Sequence, residues 1–332
     1  MIPVILARSP HIIEMNENNA DLYLIELRIW NGTGSAPTNP TYTLSKPIPS
    51  TSNRRVAFNI SPYIKEFLSH PLFTNNHNAI AFLPSEEYCN VQIIKYKVIL
   101  DSYTQIGETE LYYGIDGYGL YNEGAIVNTG KYILSALTVV LAKNHYYYYV
   151  QGSDLNNEPL KRPGNITVSG GNEVEVVYAE IGSTRSTVIQ LPLERLYIVP
   201  RVFIDYMAKG CYTTIWRGGE TPFTYIFRPK TECKYKPVRC DFINRWGAWQ
   251  TEFFFKASKN SINVENSEYN LYQAFVNYDT KEGQRKTFNT NYTETITVNT
   301  DWVSEDFSEN LRELMTSERI LLDNSTVKLN TK

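Results

Sequence analysis

The chain has 332 residues, is 42% hydrophobic and carries a formal net charge of −3. This length suggests two or three domains with real apolar cores. The charge balance excludes a general nucleic-acid binder, which would show basic patches, and no apolar run approaches the roughly 18 residues of a membrane span.

Tyr is the outstanding residue type, at 25 against 14 Phe. It suits strands and interfaces because it joins a large apolar body to a polar tip. The run Met1 to Arg8 has no basic stretch ahead of its apolar residues, so no secretory signal is expected and the chain reads as soluble and made in a cytoplasm. Cys89, Cys211, Cys233 and Cys240 fit neither a disulfide scaffold nor a zinc-ligand spacing. Buried free thiols are expected, with a Cys233–Cys240 bridge as the minor alternative.

Residues 1–122 read as one β-sandwich. Strands are expected at Val4–Leu6 and His11–Met15. Between Asp21 and Trp30, the residues Tyr23, Ile25, Leu27 and Ile29 alternate with Leu22, Leu24, Glu26 and Arg28, which predicts a strand with one wholly apolar face. Further strands are expected at Tyr42–Ser45, Arg55–Ile60, Val91–Leu100 and Glu108–Gly114. Ser61 to Leu68 predicts a short helix, with Ser61 as N-cap and Pro62 at the first helical position. The glycine-rich stretch Gly114 to Gly119, with Gly124, marks a boundary. It lacks the helix and the following Lys or Asp of a phosphate cradle.

Residues 123–265 read as a second all-β unit. Its strands are expected at Ile133–Leu141, Tyr146–Gln151, Asn165–Val168, Glu173–Tyr178, Ser186–Leu191 and Arg195–Phe203. It ends in the densest aromatic segment, Cys240 to Phe255. Phe242 and Ile243 lead into a turn, Asn244-Arg245-Trp246-Gly247, and Trp249 to Phe255 leads out. This is the pattern of a tight β-hairpin, with Gly247 supplying positive φ. Trp249 is expected in the core, and Trp246, nearer the turn, is expected to face a partner.

Residues 266–332 read as a strand–helix–strand segment packing on the second domain. A strand is expected at Glu294–Asn299. A helix follows, capped by Ser304, with Phe307, Leu311, Leu314 and Met315 on one face and Glu305 and Asp306 at its N-terminus. A last strand is expected at Ile320–Leu322. The fold class is therefore mainly all-β, with tandem β-sandwich-like domains and a few short helices.

Signals for chemistry are sparse. His11, His70, His77 and His145 stand in no metal-ligand spacing, and no nucleophile elbow occurs. Glu86/Glu87 or Glu305/Asp306 would serve a glycosidase only if folding paired distant carboxylates. The expectation is no enzyme, no cofactor and no metal. The run Tyr146 to Tyr149 is either a strand with one buried face or a platform for sugar stacking. Arg245, with Arg217 and Arg228, is an ion-pair member, a partner stacked on an indole, or a solvated cation.

Three stretches carry a resemblance: Phe58 to Phe67, around Ser-Pro-Tyr-Ile-Lys-Glu; Phe242 to Ser258, the aromatic hairpin; and Ile296 to Ile320, the closing element. Together they resemble tail and ring structural proteins of bacteriophages infecting Bacteroidota, the crAss-like phages above all. The resemblance implies a virion structural protein of the tail or of a portal-proximal ring. Such a protein assembles as a homo-oligomer and scaffolds other virion tail components. It implies architectural roles for Pro62, Tyr63, Trp246, Gly247, Trp249 and Trp302, and Arg245 is grouped with them from its place in the turn. Relatives carry a further strand after the closing element, which leaves open whether a neighbour completes that edge here. A receptor- or glycan-binding module on the virion surface is the alternative, and a hydrolase domain with a hidden carboxylate pair the third.

Overall fold

The computed structural model describes residues 3–32, 34–49, 54–70, 88–123, 234–247, 249–272, 281, 283–300, 302 and 307–330. Between residues 133 and 230 it describes the backbone of eight strands. Strands make up 53% of the chain against two short α-helices, so the fold is all-β.

The N-terminal part holds β1 (Val4–Leu6), β2 (Ile12–Met15), β3 (Leu22–Asn31), β4 (Tyr42–Pro47), β5 (Val56–Asn59), α1 (Ser61–Lys65), β6 (Tyr88–Ile99) and β7 (Ser102–Ile115). Five strands form one sheet in the order β1-β7-β6-β3-β4, with β1 parallel to β7 and the other pairs antiparallel. β2 and β5 form a separate two-stranded sheet. The alternation in β3 decides which side is inner. Tyr23, Ile25 and Leu27 are 0% exposed. Across the ladder Leu27 faces Ile93 and Ile29 faces Val91, all four buried. Ile13, Met15, Val56, Phe58, Ile60 and Ile64 close this core from the β2–β5 sheet and α1. Each such burial contributes about 1.5–3 kcal/mol.

Ser61 does not cap α1. It is the first helical residue, and Ile60 holds the cap position without a side-chain cap bond. The Ser61 hydroxyl donates to the Ser9 carbonyl at 2.5 Å and accepts from the His11 amide at 2.8 Å. Tertiary partners therefore outcompete the local cap.

The next strands are β8 (Ile133–Leu134), β9 (Tyr146–Tyr149), β10 (Asn165–Ser169), β11 (Val174–Glu180), β12 (Ser186–Leu191), β13 (Leu196–Pro200), β14 (Cys211–Arg217) and β15 (Phe223–Lys230). They form a three-stranded sheet, β13-β10-β8, and a five-stranded sheet, β12-β11-β14-β15-β9. The tyrosine run is the edge strand β9, parallel to β15. Its side chains, and those of Arg217 and Arg228, lie outside the described residues, as do His77 and His145.

The aromatic segment is a hairpin of β16 (Val238–Ile243) and β17 (Trp249–Phe254). Two strands follow in sequence, β18 (Lys259–Asn270) and β19 (Arg285–Thr297), then α2 (Phe307–Met315), β20 (Ile320–Leu322) and β21 (Ser325–Val327). The hairpin pairs with the chain end in a four-stranded sheet, β17-β16-β20-β21. A further strand, β21, does follow the closing element and pairs with β20 at the edge of this sheet. The Asp323-Asn324 turn joining β20 to β21 has positive φ at both residues, which Asp and Asn tolerate. In α2, Leu314 is buried beside Asn310 and Glu313, while Met315 is 58% exposed rather than part of the apolar face. Ser304 lies outside the described residues.

Contacts divide the chain into two compact units. One comprises residues 1–231, 239–253 and 303–332, so the hairpin and the closing element belong with the N-terminal sheet. The other comprises 232–238 and 254–302 and consists mainly of the β18–β19 ribbon.

Candidate functional site

The hairpin turn is tightly held by its own hydrogen bonds and by close backbone contact. Asn244 is fully buried, and its Oδ1 accepts from the Trp246 amide at 2.9 Å, an Asx turn. Gly247 donates its amide to the Asn244 carbonyl at 3.1 Å with φ +79. A Cβ at Gly247 would lie 2.8–2.9 Å from the backbone of Asp116, so the turn seats directly on the end of β7. Gly117 is equally crowded, 3.0 Å from the Arg245 carbonyl at its Cβ position. The glycine stretch expected to mark a boundary is thus the place where two backbones meet closely.

Charged side chains clasp this contact. Arg8 donates from Nε to the Asp116 carbonyl at 3.0 Å and from Nη2 to the Asn244 carbonyl at 2.8 Å. Its Nε also lies 3.5 Å from Asp116 Oδ1, an ion-pair distance without a formal hydrogen bond. His70 Nε2 is 2.9 Å from Asp116 Oδ2, with both side chains about nine-tenths buried. Arg319 donates to the His70 carbonyl at 2.7 Å. Arg245 donates its amide to Glu313 at 2.9 Å and its Nε to the Tyr118 carbonyl at 3.1 Å, and its Nη2 pairs with Glu123. Behind the turn runs a buried polar chain: Asn244 to Gln250, Gln250 to Glu252, and Asn310 to Glu252. Arg239 fastens the far end, reaching Asp241 at 2.9 Å and Asn324 at 2.5 Å.

The rings occupy the gaps between these cations. Trp249 is 0% exposed, packs with Ile243 and Leu321, meets His70 edge-on at 6.5 Å and lies under Arg319 at 5.6 Å. Trp246 is half-buried against Val4, Leu6, Tyr88, Tyr113 and Ile115, with the Arg245 guanidinium 4.5 Å above it. The indole thus rests on the N-terminal sheet with part of its surface open. The close approach allowed by Gly117 and Gly247 brings the indole onto the N-terminal sheet. Arg245 takes both the ion-pair and the stacking roles that its sequence left open.

The other expected residues are scattered. Pro62 is exposed in the first turn of α1, and Tyr63 packs on Tyr42 at 4.9 Å between ring centres. Trp302 is 98% exposed and belongs to the second unit. Cys240 is a buried free thiol, and Cys233 lies outside the described residues. Burial pushes the Cys89 thiol up to about 12 and raises Cys240 further. Arg8, His70, Asp116, Glu123, Glu313 and Arg319 were not marked by the sequence. Only Asp116, lodged between an apolar strand and Gly117, offered a local hint.

The cluster's chemistry is that of a fastening: opposite charges and backbone groups pair across two sheets. Burial alone would raise the Asp116 carboxyl, but the His70 hydrogen bond and the Arg8 charge outweigh it and hold it below its ordinary value. His11 is held below 6.5 by burial, against the opposing pull of Glu110. Both groups bind protons more readily when unfolded, so both lose stability as pH falls. The His11 contribution is present above 6.5 and declines below it, and that of Asp116 declines below its ordinary 3.8. The urea midpoint followed by tryptophan fluorescence should fall in two stages between neutral pH and pH about 3. A His11→Gln variant should lose the upper stage.

Among the described residues no three His, Cys, Asp or Glu side chains are gathered as metal ligands, and no helix is long and apolar enough to cross a membrane. Compared with known proteins, the chain matches no family model, no curated protein and no solved structure.

Proposed function

We propose that this chain is a structural protein of a bacteriophage virion, placed in the tail or a portal-proximal ring. In this reading it assembles symmetrically, scaffolds other tail components and catalyses no reaction. It is made in the cytoplasm of the host bacterium and resides in the particle. The observation that carries the proposal is the use made of the aromatic hairpin. Its Trp, Arg and Gly residues are committed to joining the N-terminal sheet to the closing element, the architectural role implied by the resemblance of these same segments to phage tail proteins. A body braced by buried ion pairs and close backbone contact suits a part that transmits load.

Mass spectrometry of purified particles of the encoding phage, with immunogold labelling, tests this. The expected result is the protein at a copy number matching a ring, with label at the tail or neck. Absence from particles would overturn the proposal, and label at fibre tips would replace it with the receptor-binding reading.

A further inference from the structure

The second unit is built around a feature that a lone molecule supports poorly. Among the described residues β18 and β19 form a two-stranded sheet with each other, twelve and thirteen residues long, and almost every residue is exposed. An isolated two-stranded ribbon is marginal in water. This one also exposes large apolar side chains: Ile262 at 62%, Val264 at 55%, Tyr292 at 69%, Ile296 at 40%, Tyr269 at 47% and Phe288 at 51%.

The register sorts these six. Val264 stands opposite Tyr292, Ile262 opposite Glu294 and Asn260 opposite Ile296, which puts Ile262, Val264, Tyr292 and Ile296 on one face. Beyond Glu265 the register shifts at a bulge where Asn289 has φ +52. The shift moves Phe288 to the other face, where it meets Tyr269 at 5.7 Å between ring centres. Each face therefore has its own apolar patch, one toward the base and one toward the tip. Lying on one flat surface would cover only one patch. An arm gripped by a partner covers both.

We infer that the β18–β19 ribbon is an assembly arm that docks on a second copy of this chain. The inference deepens the structural-subunit reading and rests on it for its setting. Two observations select a second copy. The ribbon's charges balance, with Lys259, Arg285 and Lys286 against Glu265, Glu268 and Glu294. A copy brought against it meets no net repulsion, whereas a strongly charged partner gains little. The area also fits. Tyr269, Phe288 and Tyr292 present roughly 150–250 Å² each when free and the three aliphatic residues somewhat less, so at these exposures the six leave on the order of 600 Å² open. That is about the apolar share of one side of a standard interface of roughly 800 Å² per partner.

Sedimentation velocity of the full chain is the test, with the cross-strand double variant Val264→Glu/Tyr292→Glu beside it. The wild type should sediment as an oligomer. The variant should associate roughly a hundredfold or more weakly, because two carboxylates would be buried at the centre of the contact. A wild type that stays monomeric at high concentration, or a variant that assembles normally, would overturn the inference. If the variant misfolds, hydrogen exchange on the wild type decides. Ribbon amides should gain protection as concentration is raised a hundredfold, and protection independent of concentration would show that the chain covers the ribbon itself. A monomeric protein still found in purified particles would sink the arm alone. An oligomer absent from particles would sink the virion reading alone.

Discussion

Replacing Trp249 by Ala should destabilise the first unit by about 3–5 kcal/mol, the usual cost of removing a fully buried indole. Trp249 is 0% exposed and touches parts of the chain far apart in sequence: Ile243 on β16, Leu321 on β20, the His70 ring and the Arg319 guanidinium. Truncation would leave a cavity beside buried polar groups that cannot move together to fill it. The loss is a large fraction of a domain's net stability. A thermal melt should fall by on the order of 10 °C. Trp302→Ala is the control. At 98% exposure it should change stability by no more than about 0.5 kcal/mol. If Trp249→Ala melts with wild type, the hairpin is not a structural joint.

Gly247→Ala should produce the second large effect, of about 2–4 kcal/mol, from two separable causes. An L-residue at φ +79 is strained by roughly 1–2 kcal/mol. The new methyl would also sit 2.8–2.9 Å from the backbone O, C and N of Asp116, which forces the turn off the N-terminal sheet. Gly107→Ala isolates the first cause, since Gly107 has φ +67 and nothing within 4 Å of its Cβ position. Urea unfolding of both variants should show the greater loss at Gly247. Hydrogen exchange should show opening at Gly117, Tyr118 and Arg245 in the Gly247 variant alone. Equal losses at the two glycines would mean that the seat on Asp116 contributes nothing.

These two variants also mark where local sequence signals end. The hairpin was readable because its determinants are local: an Asx turn at Asn244, a glycine able to reach positive φ, and apolar strands on either side. β3 was readable because strict alternation leaves one choice of buried face. The β18–β19 ribbon was largely missed. Its few apolar residues are set among Ser, Asn and Thr, and with nearly every residue exposed the alternation is too short to stand out. β14 and β15 also went unmarked, although their sheet needs them as central strands between β11 and β9. The clasp around Asp116 was invisible for a different reason. Arg8, His70, Asp116, Arg245 and Arg319 are separated by tens to hundreds of residues, and only folding places them together.

The sequence by itself determined the all-β class, the N-terminal strand pattern, the hairpin and its turn, and the burial of Trp249. Each follows from short-range periodicity or from the backbone demands of a single glycine. The tertiary structure decided the rest. It turned Ser61 from a helix cap into a link to Ser9 and His11. It laid Trp246 on the N-terminal sheet and joined the hairpin to the chain end through β20. It also left Met315 and Trp302 in solvent. These outcomes depend on contacts between distant segments, where ion pairs, close glycine approach and available apolar surface compete, and no local pattern records which will win.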